Sequence, residues 1–165
     1  MRPFSLNAKP MVALAGCALL AGCAVAPPLD DVGARMGVKP YQVENEPTLD
    51  EIVVLWGGLI VQVDNRKDST EVTVLAYPLD ASQRPKIDAP SDGRFVAVLP
   101  GFVEPMTYPE GRFVTLRGRM FGTRAGTIQQ GEYQFPLVQV QAAHLWPRDF
   151  RNAGPKFSIG VGISR

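Results

Sequence analysis

Two adjacent glycines inside an apolar stretch constrain the fold of this chain more than any other feature. Gly57 and Gly58 separate two runs that are rich in β-branched and large apolar residues, at 52–56 and 59–63. Two glycines in a helix would cost about 2 kcal/mol relative to alanine, which disfavours a continuous helix. A long strand that bends or bulges at the glycines accommodates them better. The folded part of the chain is therefore predicted to begin with a bent β-strand.

Four further strand-like segments follow, each bounded by turn-forming residues. They are predicted at 70–79, 94–99, 112–122 and 133–145, with a turn-rich connection at 123–131 between the last two. The alternating segment 157–164 is expected to add a sixth strand or to present an edge to a partner. Five or six strands with a bent first strand predict an all-β domain. The expected architecture is a small OB-like barrel, with a β-sandwich as the alternative.

The N-terminus has the features of an export signal. Arg2 and Lys9 precede an apolar run at 11–22, and no acidic residue occurs before this run. Its twelve residues are fewer than the roughly 17 that a helix needs to span the hydrocarbon core of a bilayer. Positive residues followed by a short apolar run are typical of a secretory signal peptide. Residues 1–22 are therefore predicted to be removed during export.

The motif Leu-Ala-Gly-Cys at 20–23 is similar to the lipobox of bacterial lipoproteins. The same motif occurs at 14–17, but cleavage before Cys17 would leave six apolar residues, fewer than the 7 to 15 that signal peptides use. We therefore predict cleavage between Gly22 and Cys23. The lipobox implies a diacylglycerol thioether and an N-acyl chain on Cys23, and no other cofactor is expected. Two or more acyl chains anchor a protein stably to a bilayer.

The residue after the lipobox cysteine bears on the destination. In lipoproteins of Gram-negative bacteria an aspartate at this position typically retains the protein in the inner membrane, and here the residue is Ala24. The expected location is therefore the outer membrane, with the lipid-anchored domain on the periplasmic face. The expected partners are the outer-membrane bilayer, the lipoprotein processing and sorting machinery, and an envelope protein or glycan.

Between the signal and the first strand lies a segment without a sustained apolar period. Residues 24–49 contain four prolines, two glycines and several acidic residues, a composition typical of an extended linker. The predicted organisation is a signal peptide at 1–22, a lipidated cysteine with a flexible linker at 23–49, and the barrel domain at 50–165. After removal of the signal, 15 Lys and Arg stand against 16 Asp and Glu, so no nucleic-acid partner is expected.

The residue types that carry catalysis are scarce in this sequence. His144 is the single histidine and is predicted to lie at a strand end beside Trp146. Zinc sites usually need several His or Cys, and no serine lies in a Gly-x-Ser-x-Gly context, so neither a metal site nor an enzyme is predicted. The acidic residues of the predicted loops are expected to be solvated charges rather than a glycosidase pair: Asp88, Asp92, Glu104 and Glu110.

Three arginines give the predicted fourth strand a positive face. Arg112, Arg117 and Arg119 form a candidate binding face for an anionic glycan or a lipid phosphate, because OB-type barrels bind ligands on one strand face and its loops. An ordinary solvated strand face is the favoured alternative for the three side chains.

A family resemblance covers residues 55–147. The residues that carry it are turn glycines, prolines and aromatics in a fixed order, namely Trp56-Gly57-Gly58, Leu79-Asp80, Arg84-Pro85, Gly93-Arg94-Phe95, 101–105, Tyr108, Gly111-Arg112, 114–118, Tyr133 and 144–146. In these features the chain resembles the Slp family of outer-membrane lipoproteins, which is named for a starvation-inducible member. The tail at 157–165 departs from the family, because it is short and glycine-rich.

The resemblance implies a location and no accepted enzymatic activity. The expected function is that of a non-enzymatic structural or interaction module of the cell envelope, related to stress or starvation. The alternative is a ligand-binding barrel for a glycan, a lipid or another small amphiphile, which the OB-type strand pattern suggests.

Overall fold

The computed structural model describes residues 26–43 and 51–149. The predicted signal peptide, Cys23 and the predicted strand at 157–164 lie outside the described residues, so these predictions and the predicted domain limits stay untested. One short helix and five strands make up the regular structure: α1 Pro40–Val43, β1 Val53–Asn65, β2 Ser69–Tyr77, β3 Arg94–Pro100, β4 Phe113–Ile128 and β5 Gly131–Leu145.

The five strands form one closed barrel in the order β1-β2-β3-β5-β4. All neighbouring pairs are antiparallel except β3 and β5, which are parallel. A five-stranded Greek-key barrel is the architecture of the OB fold, so the predicted OB-like barrel is confirmed and the sandwich alternative is wrong. Closure pairs β1 with β4 and leaves the barrel without an open side.

The two glycines of β1 serve close approach of strands. A Cβ on Gly58 would lie 1.9 Å from the carbonyl oxygen of Leu75 in β2, and one on Gly57 would lie 2.8 Å from the carbonyl oxygen of Val114 in β4. The register is regular through both glycines and shifts only between Ile60 and Gln62. The predicted bulge therefore exists, but it lies a few residues after the glycines.

Apolar side chains fill the interior of the barrel. Trp56 and Phe95 meet at its centre with ring centroids 5.2 Å apart. Every strand contributes core residues, and each of these is at most 5% exposed. They include Val54, Ile60, Val72, Val74, Leu116, Met120 and Val138. Burying a side chain of this size contributes roughly 1.5–3 kcal/mol. The interior is therefore a packed core.

The prediction of a turn-rich connection at 123–131 is wrong, because most of this segment is β-strand. β4 continues to Ile128, β5 starts at Gly131, and the two strands pair from Thr123 opposite Pro136 to the hairpin end. The β-branched residues Thr123, Thr127 and Ile128 favour an extended chain, and the ring of Phe135 covers Gly126 on the opposite strand. The result is a long hairpin whose outer half pairs only with itself.

Candidate functional site

Part of the expected flexible linker lies along the barrel instead. We call residues 26–43 the N-terminal strap. Pro40 and Val43 of the strap are buried, and α1 packs against β3 and β5. The indole Nε1 of Trp56 donates to the carbonyl oxygen of Val38 at 2.7 Å, and the amide of Arg35 donates to the carbonyl of Val53 at 2.8 Å. The prolines leave the strap with little regular structure beyond α1 but do not prevent docking.

Gln83 joins the strap to the barrel through both ends of its side-chain amide. Its Oε1 accepts from the amide of Leu29 at 3.0 Å, and its Nε2 donates to the carbonyl oxygen of Leu29 at 2.7 Å. The backbone carbonyl of Gln83 accepts from the hydroxyl of Thr115 at 2.7 Å, and that hydroxyl accepts from Nε1 of Trp146 at 2.9 Å. One buried residue thus connects the strap, the loop 78–93 and two strand ends.

The backbone of Gln83 is held in an uncommon conformation. Its φ is +63°, a left-handed value that residues other than glycine rarely adopt, and only 3% of the residue is exposed. Asp80 fixes the surrounding turn, because its Oδ1 accepts from the amides of Ser82 at 2.8 Å and Arg84 at 2.9 Å. Conformations of this kind persist where the surroundings determine them and often mark functional positions.

An ion pair fastens the other end of the strap. Lys39 Nζ lies 2.9 Å from Oδ1 of Asp92, and the amide of Tyr41 donates to the carbonyl of Asp92 at 3.2 Å. The hydrogen bond to Asp92 raises the pKa of Lys39 above its ordinary value. Asp92 is 8% exposed, so the expectation that it is a solvated loop charge is wrong. Asp88, Glu104 and Glu110 are exposed, as expected.

The outer side of β4 carries a second apolar cluster under the loop 78–93. Phe113 and Trp146 are 6% and 8% exposed, and they pack with Leu59, Tyr77 and Ile87. His144 contacts Trp146 edge to face at 4.5 Å between centroids, which confirms its predicted place at a strand end. This part of β4 is therefore buried on both of its faces.

The three arginines of the candidate binding face have intramolecular partners. Arg112 Nη2 donates to the carbonyl oxygen of Trp146 at 2.5 Å. Arg117 donates to the strap carbonyl of Val32 at 3.0 Å and also to Gln141, and Arg119 lies 2.9 Å from Glu51. Along a strand that rises about 3.3 Å per residue, Arg112 and Arg119 are roughly 23 Å apart. The structure brings Arg117 and Arg119 to one side of β4 and leaves Arg112 at the other end.

Sequence reasoning did not predict the partners of a second arginine cluster, which lies on the long hairpin. Arg124 binds Glu71 of β2 through two hydrogen bonds of 2.9 and 3.0 Å, and Arg66 lies 3.1 Å from the same carboxylate. The hydrogen bonds from Arg124 hold the pKa of Glu71 below its ordinary value, and those from Arg66 add to the effect. The cluster ties the projecting hairpin to the barrel wall.

Large apolar side chains are exposed on the connection between β3 and β4. Phe102 and Met106 are 70% and 72% exposed. The base of this connection is rigid, because the buried hydroxyl of Thr70 donates to the carbonyl of Gly101 at 3.0 Å and accepts from the amide of Val103 at 2.9 Å. The structure therefore holds two apolar side chains in solvent on a fixed support.

The clefts of the molecule lie on its outside. One of about 160 Å³ runs between the strap and the barrel, and a wider one of about 510 Å³ adjoins Arg84 and Lys86. Within the two described ranges, no three His, Cys, Asp or Glu side chains are arranged to hold a metal ion. The described residues also contain no helix that is long and apolar enough to cross a membrane.

Comparison with known proteins decides the family. The model of the outer membrane lipoprotein Slp family matches residues 20–159, which include the Leu-Ala-Gly-Cys motif at 20–23, the strap and the barrel. The chain belongs to this family. Its outer-membrane location and the resemblance read from the sequence are thereby confirmed.

Named relatives agree with this assignment. An uncharacterized protein of Haemophilus influenzae is 35% identical over 134 residues, 79% of this chain and 72% of the relative. The outer membrane protein Slp and the uncharacterized lipoprotein YeaY of Escherichia coli K12 are each 34% identical over 91 residues, 55% of this chain. The alignments span 48% and 47% of those two relatives, about half of their length.

Among solved structures, a small single-stranded DNA-binding protein from Streptomyces coelicolor is similar with a TM-score of 0.34 and 11% identity. The similarity covers 58% of this chain and 94% of that protein. The OB-like assignment of this Slp family member rests on its own strand order.

Proposed function

We propose that this Slp family member is a lipid-anchored, non-enzymatic module on the periplasmic face of the outer membrane, with a structural or interaction role. In this proposal the signal is cleaved between Gly22 and Cys23, and Cys23 carries a diacylglycerol thioether and an N-acyl chain. The partners are the outer-membrane bilayer, the lipoprotein processing and sorting machinery, and an envelope protein or glycan. The observation that carries the proposal is that this member of an outer-membrane lipoprotein family has a barrel whose interior is filled with apolar side chains.

The packed interior supports a module over a carrier of small molecules. Five side chains that point into the barrel are fully buried, at 0% exposure or close to it: Val54, Val74, Phe95, Met120 and Val138. A glycan or an amphiphile would have to bind on the outside, in the open clefts beside the loop 78–93 or the strap. The alternative of a ligand-binding barrel therefore requires a surface site.

The buried polar side chains that hold the strap support a structural role for themselves. Asp92 is paired with Lys39, and Gln83 uses its side-chain amide on Leu29. General acid–base catalysis needs a titratable group that is free to reach a substrate proton. Arg112, Arg117 and Arg119 each donate to an acceptor of the same chain, so they favour a solvated, self-paired strand face over an anion site.

The exposed connection supports an interaction role in addition to a structural one. Phe102 and Met106 are 70% and 72% exposed, and contiguous exposed apolar patches mark surfaces that contact partners, so this connection is where we expect a partner to bind. The relation to stress or starvation stays a prediction, which a comparison of protein levels in growing and starved cells tests.

Metabolic labelling with a fatty acid tests the proposed anchor. Cys23→Ser is expected to abolish labelling and to remove the protein from the outer-membrane fraction. Cys17→Ser, a matched change in the other Leu-Ala-Gly-Cys motif, is expected to leave both unchanged. Labelling lost with Cys17→Ser and kept with Cys23→Ser would reassign the lipid site. Hydrolysis of peptidoglycan or lipid by the purified mature chain would contradict a non-enzymatic role.

A further inference from the structure

The docked strap leaves very little chain between the proposed lipid and the barrel. Leu29 is bound through both of its backbone polar groups to Gln83, and it follows Cys23 by six residues. Six residues span at most about 22 Å when fully extended. A linker free up to residue 49 would instead span as much as about 90 Å. The strap therefore converts a long tether into a short one.

The attachment of the strap is distributed over its length. Leu29 binds the loop 78–93, the carbonyl of Val32 binds Arg117, and Arg35 binds the start of β1. Beyond these contacts, Val38 accepts from the core residue Trp56 and Pro40 is buried. Release of the strap would break contacts with three elements at once and expose apolar side chains. The strap thus belongs to the folded body.

The geometry points to a defined orientation at the bilayer, and this rests on the proposed lipidation of Cys23. We infer that the barrel lies against the membrane with the loop 78–93 towards the lipid headgroups. This face contacts the same bilayer into which the chain's own acyl groups insert. The short length of chain between Cys23 and Leu29 sets this orientation. The charge of the loop does not set it, because Arg84 and Lys86 nearly balance Asp80 and Asp88.

The opposite end of the barrel faces away from the membrane. Gln83 binds Thr115 near the start of β4, and Thr115 pairs with Gly57 of β1. From Gly57 the strand β1 continues for eight residues to Asn65, which is at most about 26 Å at 3.3 Å per residue. The turn that contains Lys67 follows, and the amide of Gly101 donates to the carbonyl of Asp68 in that turn. The exposed connection with Phe102 therefore lies at the end that projects into the periplasm.

Two matched labels test the orientation in the mature lipidated protein, reconstituted into phosphatidylethanolamine–phosphatidylglycerol vesicles. Lys86→Cys and Lys67→Cys replace exposed lysines in turns at the two ends, and the acylated Cys23 leaves the new thiol as the reactive one. A fluorophore on each thiol is quenched by lipids that carry a headgroup quencher. We expect several-fold stronger quenching at position 86 than at position 67. Equal or reversed quenching overturns the inference.

Two control variants test whether the docked strap, and not the lipid anchor alone, sets the orientation. Insertion of about ten Gly and Ser residues between Val25 and Ala26 lengthens the tether ahead of the strap, so quenching at position 86 is expected to fall towards that at position 67. Gln83→Asn tolerates the left-handed conformation but is too short to hold Leu29, and it is expected to lower quenching at position 86 in part. Unchanged quenching in both variants contradicts the inference.

The possible results distinguish failure of the lipid anchor from failure of the orientation. A protein that does not sediment with vesicles overturns both the anchor and the orientation. A protein that sediments but shows equal quenching at the two positions overturns the orientation alone. Protection of the label at position 86 from a soluble quencher, without headgroup quenching, also overturns it, because a protein would then cover this face.

Discussion

The side-chain amide of Gln83 pairs with the backbone amide and carbonyl of Leu29, a residue 54 positions earlier in the chain. This pairing replaces the backbone partners that a proline-rich segment does not find in a regular strand or helix. It also makes the strap part of the folded body, and the stability of the barrel should depend on it.

Gln83→Gly is expected to lower the free energy of unfolding by about 1–3 kcal/mol, since two hydrogen bonds at a buried position are lost. Glycine removes the strain that Gln83 bears at this left-handed φ, so the measured loss is that of the two hydrogen bonds less this relief. Gln83→Ala should cost about 1 kcal/mol more, because alanine is strained at this φ. Urea denaturation of the mature chain measures both, and wild-type stability in Gln83→Gly would contradict the role of the amide.

Glu71 should contribute to stability in a pH-dependent way. The hydrogen bonds from Arg124 and Arg66 lower its pKa in the folded protein. Its contribution is therefore complete above the pKa of an unfolded glutamate, about 4.3, and is lost as the pH falls through the lower folded-state value. Glu71→Gln should remove about 1 kcal/mol or less at pH 7, because both arginines are about half exposed.

The comparison of melting temperatures between pH 7 and pH 3 checks this expectation. The difference between wild type and Glu71→Gln should shrink as the pH falls below 4. Glu132→Gln, a change at an exposed glutamate of the same hairpin, is the matched control and should show little difference at either pH. A gap that stays constant across this range would contradict a titrating contribution from Glu71.

Gly58→Ala is expected to destabilise the barrel by about 3 kcal/mol, because the new methyl group overlaps the carbonyl of Leu75 and forces β1 away from β2. Gly37→Ala is the matched control, since no atom lies within 4 Å of its added Cβ. Thermal denaturation of the two variants measures the difference. Equal stabilities would show that β1 and β2 are not in this register.

The outer apolar cluster should behave as a second core. Phe113→Ala is expected to cost about 3–5 kcal/mol, because the ring is buried between β4 and the loop 78–93. Phe102→Ala removes the same ring from a site that is 70% exposed and should change stability by about 0.5 kcal/mol or less. Comparable losses in the two variants, measured by denaturation, would contradict the burial of Phe113.

The sequence predicts the strands of the barrel better than it predicts the strap that packs against them. Alternating residues and turn glycines are local signals, and they place all five strands within a few residues of their ends, apart from the hairpin of β4 and β5. Gly122 and Gly126 suggest turns there, but Phe135 covers one of them from the opposite strand. A contact between strands decides the outcome at that point.

The strap and the arginines show the same limit more strongly. Leu29 docks on the barrel through its hydrogen bonds with Gln83. Arg117 is paired because it donates to the carbonyl oxygen of Val32, 85 residues away. No pattern within either segment reports such distant partners. Val38, Pro40 and Val43 are a local signal of docking, as buried or partly buried apolar residues within a polar linker.

Intact-mass analysis of the protein purified from outer membranes tests the central claim most directly. We predict a chain that begins at Cys23, with the mass of the residues from 23 onwards plus a diacylglycerol group and an N-linked acyl chain. A chain with an unmodified cysteine, or with the leader still attached, would contradict it.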